Sequence, residues 1–160
     1  MLDALKMKIL RRETRPDKLL AFLYHFDNLG IREISITELL YAVRNAQQKK
    51  DFGYRFSDKI FYSSDVFDEL NRLQDEGYIK RYSYKYDGYF PMNYVALTPT
   101  GFKQSKKVAE SISPEEADII HESVKNAIHT LKEMYRIWSR KLPTRETFSQ
   151  YLQSQQLSEL

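Results

Sequence analysis

The segment from Tyr78 to Phe90, YIKRYSYKYDGYF, holds five tyrosines, one phenylalanine and three basic residues around one Asp-Gly. Lysine and arginine neutralise phosphates and release counterions, and tyrosine hydroxyls donate to phosphate oxygens, so the strip suits a polyanion. Tyrosines are also ordinary strand formers that cover a sheet. The histidines offer less. His25 lies among the apolar residues of a helix, and His121 and His129 stand eight apart on a Glu-rich one. The run from His121 resembles the H-E-x-x-H zinc motif, but Lys125 stands where the second histidine is needed. The five glycines are dispersed, with no phosphate-cradling loop, and there is no cysteine to serve as nucleophile, thiolate ligand or disulfide. No enzymatic activity, metal or cofactor is expected.

These residues must be held by a chain of 160 residues with 42% hydrophobic and 29% charged side chains, a balance that suits a soluble globular fold. No apolar run reaches the roughly 20 residues of a membrane span, and the N-terminus has no signal-peptide pattern. A cytoplasmic protein without a membrane partner is expected. The net charge of +3 is small, but its distribution is uneven. Lys6, Lys8, Arg11, Arg12, Arg15 and Lys18 cluster at the front, and Lys80, Arg81 and Lys85 fall in the aromatic strip.

Hydrophobic spacing places the elements. Residues 1–16 read as a basic helix or arm. After Pro16, Leu19, Leu20, Leu23 and Phe26 share a helical face. IREIS reads as a brief strand, and Thr37 is a candidate cap for the helix carrying Leu39, Leu40, Val43 and Ala46. An irregular connector, Asp51 to Tyr62, leads to Ser63 and Ser64, cap candidates for a third helix with Val66, Leu70 and Leu73 inward. Two strands follow, joined across Asp87-Gly88. Thr98 and Pro99 open a further helix. Ser113, Pro114 and Glu116 form a capping-box signature for a long helix to about residue 141. Within it Ile120, Val124, Ala127, Leu131, Met134 and Trp138 alternate steps of four and three, the spacing of a coiled-coil seam. A last short helix is expected after Pro143.

Helix, short strand, helix, helix, strand, strand is a winged helix-turn-helix order. The stretch SSDVFDELNRLQDEGYIKRY, followed by NYVALTPTGFKQ, resembles the third helix, wing and following helix of PadR- and MarR-type winged-helix regulators, including small archaeal and phage-associated ones. Leu70, Leu73, the Gly77-Tyr78-Ile79 exit and Leu97-Thr98-Pro99-Thr100-Gly101 carry the likeness, which covers residues 17–110. The resemblance implies an α+β, mostly helical fold, a winged helix-turn-helix with a C-terminal long helix. It also implies dimerisation through residues 111–160. The connector is longer than a compact helix-turn-helix needs, as though it re-aimed the third helix or made a contact of its own.

The function expected is transcriptional regulation through double-stranded DNA, by a homodimer. The candidate DNA-binding residues are Ser63, Ser64, Asn71 and Arg72 on the third helix, with Lys80, Arg81, Tyr84, Lys85 and Tyr86 on the wing. Ile120, Val124, Ala127, Leu131, Met134 and Trp138 are the candidate dimer seam. Asp65, Asp68, Glu69, Asp75 and Glu76 stand against this, because acids on a reading helix repel phosphates. They support the alternative, a protein–protein interaction module using an acidic third helix and a Tyr-rich wing.

Overall fold

A computed structural model describes residues 18–84 and 92–141, with the side chains of residues 84, 92 and 135–141 excepted. The basic segment 1–17, Lys85, Tyr86, the Asp87-Gly88 turn and the helix expected after Pro143 lie outside the described residues. The elements in chain order are α1 (Lys18–Asn28), β1 (Ile34–Ser35), α2 (Ile36–Lys49), α3 (Ser64–Asp75), β2 (Ile79–Tyr84), β3 (Met92–Leu97), α4 (Pro99–Ser111) and α5 (Pro114–Lys141). The strands form one antiparallel sheet in the order β1-β3-β2. This is the expected α+β, mostly helical winged-helix arrangement.

Local chemistry accounts for the helix starts, with two departures from expectation. Ser35, not Thr37, caps α2: its hydroxyl accepts from the Glu38 N–H, and Glu38 reaches back to the Ser35 N–H in a full capping box. Before α5, Ser113 accepts from the Glu116 N–H at 3.2 Å. The Glu116 carboxylate, however, goes to Lys18 at 3.5 Å and Lys50 at 3.3 Å. It ties three helices together instead of closing the box.

The junction between α3, the sheet and α4 explains the two motifs at residues 77–79 and 97–101. Gly77 has φ +80°, the left-handed turn that lets the chain leave α3 and enter β2. Thr98 then binds that exit. Its hydroxyl donates to the Gly77 carbonyl at 2.7 Å, and its N–H donates to the Tyr78 carbonyl at 3.0 Å. The same hydroxyl accepts from the Gly101 N–H and caps α4. A Cβ at Gly101 would stand 1.7 Å from the Tyr78 carbonyl oxygen, so only glycine permits this approach.

The core joins α1, α2, α3, the sheet and α5 in one cluster. Ile120 and Val124 are fully buried in it and Ala127 is 2% exposed, packed along α2 and α1. The expected dimer seam is corrected here. Its first half is consumed within the chain, because α2 and α1 offer an apolar surface that the same stripe fills. Nor is residue 110 a packing boundary, since α5 shares the core of the winged-helix elements. Leu131 is also buried, Met134 is half-buried, and the Trp138 side chain lies outside the described residues.

Candidate functional site

The outward face of α3 is defined by what the helix buries. Val66, Glu69, Leu70 and Leu73 point inward. Ser64, Asp68, Asn71, Gln74 and Asp75 are exposed. Ser63 is 1% exposed and its hydroxyl accepts from the Val66 N–H, so it is a helix cap and not a free reader. A hydroxyl spent on an orphan N–H inside the fold has no reach to a partner.

Glu69 corrects the acidic picture of this helix. Although it is a glutamate in the middle of an apparently polar surface, it is 8% exposed. One carboxylate oxygen accepts from the Leu19 N–H at 3.0 Å, at the start of α1. The Tyr54 hydroxyl donates to the same carboxylate at 2.9 and 3.1 Å. The carboxylate thus satisfies one of the orphan donors at a helix N-terminus, where negative charge is favoured. Asp65 is also engaged. It accepts from the Arg55 N–H at 2.8 Å and lies 3.5 Å from the Arg55 guanidinium. Glu76 pairs with Arg72 one turn back at 3.5 Å. Of the five acids counted against a reading helix, three are occupied by named partners, while Asp68 and Asp75 are exposed.

Tyr54 and Arg55 both come from the long connector, which is a built element. The Gln47 side chain accepts from the Phe52 N–H at 2.8 Å and the Tyr54 N–H at 3.2 Å. Phe52 and Tyr54 are each 4% exposed, and Phe52 meets Phe22 edge to face. Further on, Phe61 lies against Tyr41 with ring centroids 4.6 Å apart, and Tyr62 stacks on Phe67 at 5.1 Å. The connector therefore makes contacts of its own, several of them to α3.

The wing completes the site. The register pairs Ile79 with Leu97, Arg81 with Val95 and Ser83 with Asn93. Paired residues share a face of the sheet, so Arg81 and Ser83 stand on the side that Ile79 and Val95 bury against the core. Arg81 accordingly reaches over α3. Its Nε donates to Gln74 Oε1 at 2.7 Å and its Nη2 to Asn71 Oδ1 at 2.6 Å. Beyond it, the Ser83 hydroxyl donates to Asn93 Oδ1 at 2.7 Å. The result is a polar strip from the outer turns of α3 onto the wing, beside a hollow of about 420 Å³ walled by Ile36, Phe67, Tyr82 and Tyr94.

Of the sequence candidates, the structure brings Asn71 and Arg81 into contact and leaves Ser64 exposed on the same helix. Arg72 is half-buried beside Glu76. Lys80 is exposed on the opposite face of the wing from Arg81. Tyr84 ends β2, with its side chain outside the described residues, as are Lys85 and Tyr86 entirely. Gln74, Ser83 and Asn93 were missed as site residues. Strand alternation from the buried Ile79 would have found Ser83; Asn93 needed the register.

A second polar contact lies across the molecule. His25 of α1 and His121 of α5 approach with Nδ1 atoms 3.3 Å apart. Burial, and then the neighbouring His121, holds His25 below the usual histidine pKa.

No family model and no curated protein matches the chain. A solved structure it resembles is the circadian clock associated protein Pex from anabaena, at 16% identity and a TM-score of 0.37, over 79% of this chain and 96% of that one. At that level the likeness transfers no property to this chain. No helix of the described residues is long and apolar enough to cross a membrane.

Proposed function

We propose that this chain is a winged-helix regulator of transcription that binds duplex DNA as a homodimer, with the outer face of α3 entering the major groove and the wing alongside. The single observation that carries this is the contact of Arg81 with Asn71 and Gln74. It makes helix and wing one continuous polar surface on a helix whose Glu69 and Asp65 are turned to internal partners. Groove readers place a helix against base edges and use flanking cations on phosphates. The acidic-helix protein module loses its main support, since the acids it would use are largely engaged at home. Pairing of two copies then rests on the later seam positions, Met134 and Trp138, because the earlier ones are spent within the chain.

Fluorescence polarisation with a pool of random duplexes tests this. Binding is expected, with log affinity falling linearly as log salt rises between about 50 and about 200 mM. Absence of duplex binding at the lower salt refutes the proposal.

A further inference from the structure

We infer that Arg81 sets the base preference of α3, biasing Asn71 and Gln74 toward guanine and away from adenine. This rests on the DNA-binding function proposed above. A guanidinium has donors and no acceptor. Its contacts of 2.6 Å to Asn71 and 2.7 Å to Gln74 therefore fix the amide orientations, oxygens toward Arg81. Both side chains are exposed and Arg81 is half-buried, so the amide nitrogens are open to a ligand beside the guanidinium.

A free asparagine or glutamine reads adenine by accepting from N6 and donating to N7. Here each acceptor oxygen already touches a cation. An adenine amino group approaching it would bring a second donor against the same guanidinium. Guanine presents two acceptors, O6 and N7, and meets donors throughout. Asp68 is exposed on the same helix, three residues before Asn71 and about 4.5 Å along the axis. A carboxylate there can accept from cytosine N4, which gives that exposed acid a role beside a donor cluster. Arg81 is thus a positioning and specificity residue.

The test is selection from random duplexes by the wild type, Arg81→Met and Gln74→Glu, with thermal melts as fold controls. The wild type is expected to enrich G·C pairs at the core of its site. Arg81→Met frees both amides, and the preference for guanine over adenine should fall about tenfold or more. Gln74→Glu retains an acceptor for Arg81 but removes the outward amide, and should lose guanine preference at one position even if Arg81→Met fails to fold. If the wild type binds duplex and both variants enrich the same sequences, the inference is overturned and DNA binding stands. If Arg81→Met only flattens the salt dependence, Arg81 is a phosphate contact and the inference is again overturned. If the wild type binds no duplex, the proposed function falls and takes the inference with it.

Discussion

Replacing Glu69 by alanine tests whether the connector holds α3 in place. The change removes the acceptor for two donors, the Leu19 N–H and the Tyr54 hydroxyl, at a site that is 8% exposed. Leu19 is fully buried and Tyr54 is 4% exposed, so water does not readily replace the lost partner. A buried donor left unsatisfied costs about 1–3 kcal/mol. Two of them place the loss at about 4 kcal/mol, a large share of a typical stability of about 5–15 kcal/mol. For a domain of this size about 1 kcal/mol shifts Tm by about 2–4 °C, so a fall of about 10 °C is expected. Urea unfolding of Glu69→Ala, Tyr54→Phe and the double variant gives the coupling directly. Because the hydroxyl and carboxylate touch, the two losses should fall short of additivity by about 1–2 kcal/mol. A loss under about 1 kcal/mol for Glu69→Ala, or additivity within about 0.3 kcal/mol, would refute the claim that this carboxylate joins connector, α3 and α1.

Gly101→Ala should cost about 3 kcal/mol or more, because the new Cβ would meet the Tyr78 carbonyl, which is itself held by the Thr98 N–H; a urea midpoint close to that of the wild type would contradict the close approach. Ile120→Asp should lose about 3–5 kcal/mol or more of stability, since it puts an unpaired charge at a fully buried position. A monomeric Ile120→Asp with a urea midpoint close to that of the wild type, read by circular dichroism and light scattering, would show that the seam belongs between chains after all. Stability should fall as pH drops below about 6.5, the ordinary histidine value. The folded chain holds His25 below that value, so the unfolded chain binds the extra proton more readily and acid favours unfolding. His25→Asn should flatten that part of the urea-midpoint profile, and an unchanged profile would exclude His25 as its source.

Element order was legible because the helices carry clear apolar stripes, because capping residues open α2, α3, α4 and α5, and because Gly77 and the Thr98–Gly101 run mark a junction. The site was less legible, for reasons that particular residues show. Glu69 reads as a surface acid because its partners, Tyr54 and the Leu19 N–H, lie 15 and 50 residues away in sequence. Thr37 and Ser35 are both valid cap residues, and only the reciprocal position of Glu38 favours Ser35. The face of Arg81 follows from alternation with the buried Ile79, but its partners on α3 and the cross-strand Asn93 do not. A two-residue turn centred between Asp87 and Gly88 would oppose Ser83 to Met92, whereas the observed partner is Asn93. One residue of slip changes which face of β3 meets β2, so the Ser83–Asn93 pair could not be fixed from the turn signal alone. The α5 stripe is buried from Ile120 to Leu131, but its spacing is the same whether the partner is a second copy or α2.

Under the proposed DNA-binding function, the arrangement separates grip from choice. On α3, Asp65 and Glu69 are held by connector residues, Glu76 by Arg72, and Arg81 lies against two amides. The outer face of α3 therefore keeps Asp68 and Asp75 as its exposed acids, with Arg81 as the cation laid across it. If the chain binds DNA as proposed, attraction to the polyanion draws on Lys80 of the wing and on basic residues outside the described ones, Lys85 and those of the first sixteen. Counterion release scales with the number of phosphates neutralised, whereas discrimination depends on groups aimed at base edges. Charge removal at the flanks should thus lower affinity equally for all duplexes and reduce the salt slope by about one per lost contact. Changes at Asn71, Gln74 or Arg81 should alter which duplexes bind and leave the slope nearly as it was. The connector contributes to this division under the proposed function: Tyr54 keeps Glu69 inside the fold and Arg55 engages Asp65, so that of these acids Asp68 and Asp75 are the ones α3 turns outward, and a cation such as Arg81 beside Asn71 and Gln74 counts for more in what the surface prefers than in how tightly it holds.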